Sequence, residues 1–335
     1  MDESPALEEM GFVTCLSGIL IIIDTGYLNI WSHDRSPSLP YDDPDSVANE
    51  FIDLRIVGPD AERVGVLLEM SQHPLFVYDQ PPDHPWLQNR FDEIVSSHEL
   101  DAKLEALPQR VSHRERVTLA LRYGSGAGEV QYHGVPACAI AGVPIGQRIR
   151  VLGERMPAPE QDRWRRVTVD CAPQGKISKS ELVGSVGVDY ARLLVADVDA
   201  LGTWEHEESL DGLADFVFWG QEAQKIADTL LAPALDDDTF GWLDVPEAFA
   251  QERGIRVEEY KDANKLKMAT DYRPHSHHWQ VMKTSRTSVT ESGMTEVGGA
   301  TVCNFMTTWG DGMFDVYRDL STLDELVRIR IELGE

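Results

Sequence analysis

Two apolar runs with the same grammar stand far apart in the chain. Leu20-Ile21-Ile22-Ile23 ends on Asp24 and is followed by Leu28, Trp31 and His33, while Leu193-Leu194-Val195-Ala196 ends on Asp197 and is followed by Leu201, Trp204 and His206. Leu, Asp, Leu, Trp and His coincide at an offset of 173 (197 less 24). A short apolar run closed by turn signals predicts a buried strand, here followed by a reversal and a second short strand. The correspondence continues downstream. Asp53, Gly58, Asp60 and Ala61 meet Asp215, Gly220, Glu222 and Ala223 at an offset of 162 (220 less 58). This block reads as strand, glycine turn and helix, with an acidic residue in the first turn where the helix dipole favours it. Asp79 and Pro81 then meet Asp244 and Pro246 at an offset of 165, and the same offset brings His113 to His278, Gly134 to Gly299, Cys138 to Cys303 and Val151 to Val316. The fall from 173 to 162 places a longer loop in the first copy, at the Pro- and Asp-rich stretch 35–45. Residues 135–152 read as two strands around a turn at 142–146, matched by 300–317 around Trp309-Gly310-Asp311-Gly312. Residues 85–107, with apolar side chains at Trp86, Phe91, Ile94, Val95, Leu100 and Leu104, read as an amphipathic helix or helix pair.

These blocks predict an α+β protein built from two tandem β-rich repeats with a few helices, related by a pseudo-twofold. The first repeat is expected over 1–160, the second over 186–335, and a linker over 161–185, where Pro173 and Gly175 follow Pro157 and Pro159.

The charge narrows the partners. With 30 Lys+Arg against 57 Asp+Glu, the 335-residue chain carries a net charge of -27, a field that repels phosphate backbones and argues against nucleic acid. The two short basic clusters, Arg163–Arg166 and Arg110–Arg116, read as solvated faces. Cys15, Cys138, Cys171 and Cys303 form neither a CxxC pair nor a disulfide framework, which suits a reducing compartment. The acidic N-terminus lacks the basic start of a secretion signal, and Ile19–Ile23 is too short to span a bilayer, so a cytoplasmic protein away from membranes is expected.

The stretch Phe305-Met306-Thr307-Thr308-Trp309-Gly310-Asp311-Gly312, running on to Val316-Tyr317, resembles the closing motif of an uncharacterised bacterial family. Ser17-Gly18 and the apolar run to Asp24 are similar to that family's opening. The likeness covers about a fifth of the chain. It implies no activity. In the first half the turn reads Val143-Pro144-Ile145-Gly146, so only the second half keeps the Trp and Asp.

Candidate chemistry gathers in the second half. His275 and His277, on one face if the segment is a strand, join Asp311 as candidate ligands for a divalent metal such as Zn²⁺ or Fe²⁺, with Asp271 as a further carboxylate. Trp309, Asp311, Asp315, Trp204 and His206 are candidate ligand-binding residues, the tight turn at 309–312 being equally a plain hairpin. Asp236 to Glu247 has the Asp, Gly and Glu spacing of an EF-hand loop, but Phe240 stands at a ligand position and Pro246 near its end. Asp24 and Asp197 read as turn caps, and the glycines at 124–128 lack the Lys of a phosphate-binding loop.

In the absence of a nucleophile–base pair or a cofactor fingerprint, the leading expectation is a non-catalytic acidic binding protein, immunity-like or regulatory, that engages a basic protein partner. No organic cofactor is predicted. The alternatives are a metal-dependent hydrolase with its site in the C-terminal half, and a small-molecule sensor binding between the repeats. Substrate, partner and oligomeric state are not legible.

Overall fold

Among the residues that the computed structural model describes (7–37, 51–69 and 73–334), the elements run through one order twice. The first pass is β1 (Leu7–Thr14), β2 (Ile19–Asp24), a 3-10 turn (Thr25–Ile30), β3 (Ile52–Val57), α1 (Ala61–Leu68), β4 (Phe76–Gln80), α2 (Pro85–Ser97), β5 (Lys103–Ala106), α3 (His113–Tyr123), β6 (Ala127–Tyr132), β7 (Val135–Ala141), β8 (Arg148–Arg155) and β9 (Trp164–Asp170). The second is β10 (Lys179–Val188), β11 (Arg192–Asp197), a 3-10 turn (Ala200–Thr203), β12 (Leu213–Trp219), α4 (Ala223–Leu230), β13 (Thr239–Pro246), α5 (Glu247–Asn264), β14 (Ala269–Pro274), α6 (His277–Thr287), β15 (Ser292–Val297), β16 (Ala300–Met306), β17 (Gly312–Leu320) and β18 (Leu326–Glu332). The fold is α+β. Chain contacts define two units: residues 1–204 with 284–335, and residues 205–283. Among the described residues no helix is long and apolar enough to cross a membrane.

In the first unit two six-stranded antiparallel sheets share a core. Their strand orders are β1-β8-β9-β18-β17-β10 and β15-β16-β11-β2-β7-β6. Each order is unchanged when every strand is exchanged for its counterpart in the other pass and the sheet is read from its far edge. The registers obey the same exchange. Ile22 pairs with Val195, its own counterpart at the 173 offset (195 less 22). Thr168 pairs with Arg330, its counterpart 162 residues on (330 less 168). The side chains between the sheets follow the two-residue period of strands: Leu20 and Ile22, Leu193 and Val195, Val167 and Val169, and Ile329 and Ile331 are all buried in one cluster. Ile21, Ile23, Leu194 and Ala196, on the opposite faces of β2 and β11, are buried as well. Both faces are therefore covered, and that is why these strands read as unbroken apolar runs.

The aspartates that end β2 and β11 clamp the halves together. Asp24 Oδ1 accepts the Gly26 amide of its own 3-10 turn at 2.8 Å, and Oδ2 accepts the amides of Asp189 and Tyr190 at 2.7 and 3.0 Å. Asp197 Oδ1 accepts the Asp199 and Ala200 amides at 3.0 and 2.9 Å, and Oδ2 accepts the amides of Leu16 and Ser17 at 2.8 and 2.7 Å. Ser17 Oγ and Cys15 Sγ donate to the same Oδ2 at 2.7 and 3.1 Å. Donor number decides how each carboxyl titrates. Burial raises the Asp24 pKa, against which its three amides are not enough. Burial pushes Asp197 up as well, but its larger set of donors, led by the Ser17 and Ala200 amides, overcomes this and holds it below the ordinary value.

The outer strands of the first sheet turn over the edges of the second at bulges. Two residues beyond the bulges at Met10 and Val183, the Phe12 amide donates to Met294 Sδ and the Ser185 amide donates to Glu129 Oε2, each at 3.2 Å. An outward amide of an edge strand has no ladder partner and takes another acceptor. Here one half supplies a thioether where the other supplies a carboxylate.

Smaller three-stranded sheets complete the fold. Their orders are β4-β3-β5 in the first unit and β13-β12-β14 in the second. Each packs its own apolar cluster, around Leu54, Val64 and Phe91 in one and around Phe216, Phe218 and Ile226 in the other.

Several expectations are corrected. The 161–185 segment is not a linker: it holds β9 and the start of β10, because Val167 and Val169 supply core side chains. The apolar runs are followed by 3-10 turns rather than second strands, since Asp24 and Asp197 cap those turns. The amphipathic segment 85–107 is helical only to Ser97 and then enters β5. β7 and β8 belong to different sheets and do not form a hairpin. The EF-hand-like stretch is a strand from Thr239, with Phe240 buried. Of the loop expected at 35–45, residues 38–45 lie outside the described residues.

Asp197→Asn should cost about 3 kcal/mol or more in urea unfolding, because an amide nitrogen would face donors that need an acceptor. Asp24→Asn should cost less. The wild-type contribution of Asp197 should be complete above the ordinary carboxyl value of 3.8 and be lost as pH falls through its lower folded value. A second measurement probes the Ser185 amide. Glu129→Met should leave stability within about 1 kcal/mol, whereas Glu129→Ala, which takes the acceptor from the Ser185 amide, should cost about 1–3 kcal/mol.

Candidate functional site

The small sheets carry the chemistry. Each central strand presents an aspartate, Asp53 on β3 and Asp215 on β12, and a neighbouring strand presents a second, Asp79 on β4 and Asp244 on β13. Both second aspartates adopt left-handed backbone, with φ of 54° and 51°, a conformation that Asp tolerates better than most residues. The Asp79 amide donates to Asp53 Oδ1 at 2.9 Å, and the Asp244 amide donates to Asp215 Oδ1 at 2.7 Å. Each half thus folds two carboxylates against each other. Such a pair repels itself and needs positive charge.

The halves supply that charge differently. In the first, Arg116 is completely buried and donates to both carboxylates: Nη1 to Asp79 Oδ2 at 2.7 Å, and Nη2 to Asp53 Oδ2 at 3.0 Å and to Asp79 Oδ1 at 2.9 Å. Its Nε donates to the Val111 carbonyl at 3.1 Å and its guanidinium lies 4.4 Å from the Tyr78 ring centre. Arg110, equally buried, donates to Asp79. Burial would raise the Asp79 pKa, but the Arg116 charge and hydrogen bonds, with Arg110 behind them, hold it well below the carboxylate range. Arg110 and Arg116 are therefore not part of the solvated face expected of the cluster 110–116: they neutralise a buried carboxylate pair, while Arg114 pairs with Asp199 at 2.6 Å.

In the second half, His275 takes the guanidinium's part. Its Nε2 lies 3.2 Å from Asp215 Oδ1 and 3.6 Å from Asp244 Oδ1, and its Nδ1 lies 3.1 Å from Asp211 Oδ2. Lys283 Nζ lies 3.5 Å from the same Asp244 oxygen. Asp215 forms the buried floor, while Asp244 is open to solvent. Burial disfavours the charged imidazole, yet the hydrogen bonds and charges of Asp211 and Asp215 outweigh it and raise the His275 pKa above the ordinary 6.5. Ligand atoms of Asp215, Asp244 and His275 lie within 4.8 Å of one another, close enough to hold a cation.

The helix starts fix which positions correspond. Ser112 Oγ accepts the Glu115 amide at 3.2 Å and Ser276 Oγ accepts the Trp279 amide at 3.1 Å. His113 Nδ1 accepts the Ser32 amide and His277 Nδ1 accepts the Glu205 amide, each at 2.9 Å. His113 thus corresponds to His277, at an offset of 164, and not to His278 as the sequence spacing suggested. At that offset Arg116 answers to Gln280, Arg110 to Pro274, Val111 to His275 and Leu119 to Lys283.

The residues singled out from sequence fall as follows. His275 and His277 do not share a strand face, because β14 ends at Pro274 and α6 begins at His277. His277 is buried with its Nδ1 on the Glu205 amide, and Asp271 pairs with Arg273 at 2.6 Å. Asp311 belongs to the other unit, where Oδ1 accepts the Ala191 amide at 3.1 Å. Trp309 is a strut: Nε1 donates to the Trp164 carbonyl at 2.7 Å, and Arg163 lies 4.3 Å from its ring centre. Asp315 is exposed and accepts Ser185 Oγ at 2.7 Å. Trp204 is buried at the end of its 3-10 turn, its amide on the Leu201 carbonyl at 3.2 Å, and the His206 ring lies tilted against His278 at 4.1 Å between ring centres. Sequence reasoning missed Asp215, Asp244, Asp211 and Lys283 as site residues. A signal for the first two was present: the repeat alignment already set Asp53 on Asp215 and Asp79 on Asp244.

Comparison of the chain with family models, curated proteins and solved structures finds no match.

Arg116→Met should destabilise the protein by about 3–5 kcal/mol, since it leaves two buried carboxylates without their counter-charge. Adding Asp79→Asn to that variant should recover part of the loss in the same urea titration.

Proposed function

We propose that the protein is a binding protein whose specific ligand is a divalent cation, held in the second half by Asp215, Asp244 and His275. One observation carries the reading. The same carboxylate pair is built twice, and in the first half buried guanidinium groups stand where a cation would sit. In the second half those positions are Gln280 and Pro274, and a histidine faces the pair instead. Asp211 on Nδ1 turns Nε2 toward the carboxylates, which is the carboxylate–histidine–metal arrangement of known metal sites. The doubled element order supports an internal duplication in which one copy kept a self-neutralised pair and the other a site open to ligand.

This reading keeps the binding role expected from the sequence and gives it a defined ligand. A basic protein partner stays compatible with the charge of -27. The seam between the halves in the sandwich is filled by Ile22, Val195, Val167 and Ile331, which favours a site in the second small sheet over one at that seam.

Chelator-stripped protein should gain thermal stability on addition of at least one of Mg²⁺, Ca²⁺, Mn²⁺ or Zn²⁺. Asp215→Asn and Asp244→Asn should each weaken that response by about 10-fold or more in cation concentration. A wild-type protein indifferent to all four ions would overturn the reading.

A further inference from the structure

Resting on that reading, we infer that the second-half site takes a transition-metal ion of the zinc type rather than Ca²⁺ or Mg²⁺, and that the ion enters by displacing the Lys283 ammonium from Asp244. Ligand type sets the first part. Calcium and magnesium sites are built from oxygens, whereas an imidazole nitrogen joined to carboxylates suits zinc, cobalt and their neighbours. The imidazole is aimed at the pair by design: Asp211 engages Nδ1 at 3.1 Å and leaves Nε2 at 3.2 and 3.6 Å from the two carboxylate oxygens.

The second part follows from one atom. Asp244 Oδ1 lies 3.6 Å from His275 Nε2 and 3.5 Å from Lys283 Nζ, so histidine and lysine share a single oxygen. A dication bound to that oxygen repels the ammonium. The ammonium is able to leave, because the Lys283 and Asp244 side chains are 52% and 62% exposed, while the Asp215 side chain beneath is 2% exposed. The site therefore has a fixed floor and a solvent-facing rim on which one cation is exchanged for another. No covalent bond changes in the exchange. Among the described residues the first half has no such device: Val111 and Leu119 occupy the positions of His275 and Lys283, and buried arginines hold the pair. Asp211, His275 and Lys283 thus converge on a carboxylate pair that both halves share.

The test uses chelator-stripped full-length protein titrated with Co²⁺, read by its visible absorption, and then with Zn²⁺ and Ca²⁺ in competition. The expected result is a Co²⁺ band that Zn²⁺ abolishes and Ca²⁺ does not, with Lys283→Met binding Co²⁺ about two- to fivefold more tightly because its competitor is gone. His275→Gln should lose the band. Unchanged or weaker binding by Lys283→Met, in protein that unfolds at the wild-type temperature, overturns the exchange. Tighter binding of Ca²⁺ than of Zn²⁺ overturns the metal class while leaving a cation site in place. Uptake of none of the ions overturns the cation site itself.

Discussion

Two buried carboxylates hold the central strands of this protein in register. Asp24 and Asp197 each end a strand, cap the turn that follows and accept backbone amides from the loop before the other strand. An apolar residue in either place would take away the acceptor that ties these amides to the strand end. The apolar surfaces of β2 and β11 supply most of the burial, but hydrophobic contact is indifferent to sliding by two residues. The clamps are not: moving either strand along the other breaks hydrogen bonds at both ends.

The same economy of polar groups explains the small sheets. A backbone that brings two aspartates together fixes a local need for positive charge without fixing what meets it. Arginine meets it permanently, since it stays charged at any pH the fold survives and its fork reaches both carboxylates. Histidine meets it conditionally, since its charge is given up to a proton acceptor or its nitrogen to a metal. One scaffold thus carries a pair neutralised by buried arginines in one half and a pair faced by a histidine and an exposed lysine in the other.

Much of the fold was legible in the sequence because the strongest signals are local. The runs at Leu20 and Leu193 announce buried strands, and matched offsets lay the elements of the two halves side by side. Strand partners were less legible: nothing local distinguishes β7 followed by β8 as a hairpin from two strands that part into different sheets. The 161–185 segment misled for a related reason, since its prolines and glycine flank a strand instead of replacing one. In the site, His275 was visible as a metal-ligand type, but its partners come from β12 and β13, and only a pairing of distant strands brings Asp215 and Asp244 to it. Arg110 and Arg116 were misread because charge in a sequence suggests solvent until the buried counter-charge is known.

The self-pairing of Ile22 with Val195, and of Thr168 with Arg330, bears on how the sandwich comes apart. Each sheet takes its inner pair of strands from different passes of the chain, so neither set of six strands closes until both passes of the polypeptide are present. The sandwich is for that reason a single cooperative block: the early strands have no finished sheet to retreat into when the late ones leave, and loosening at either seam propagates to its mirror image.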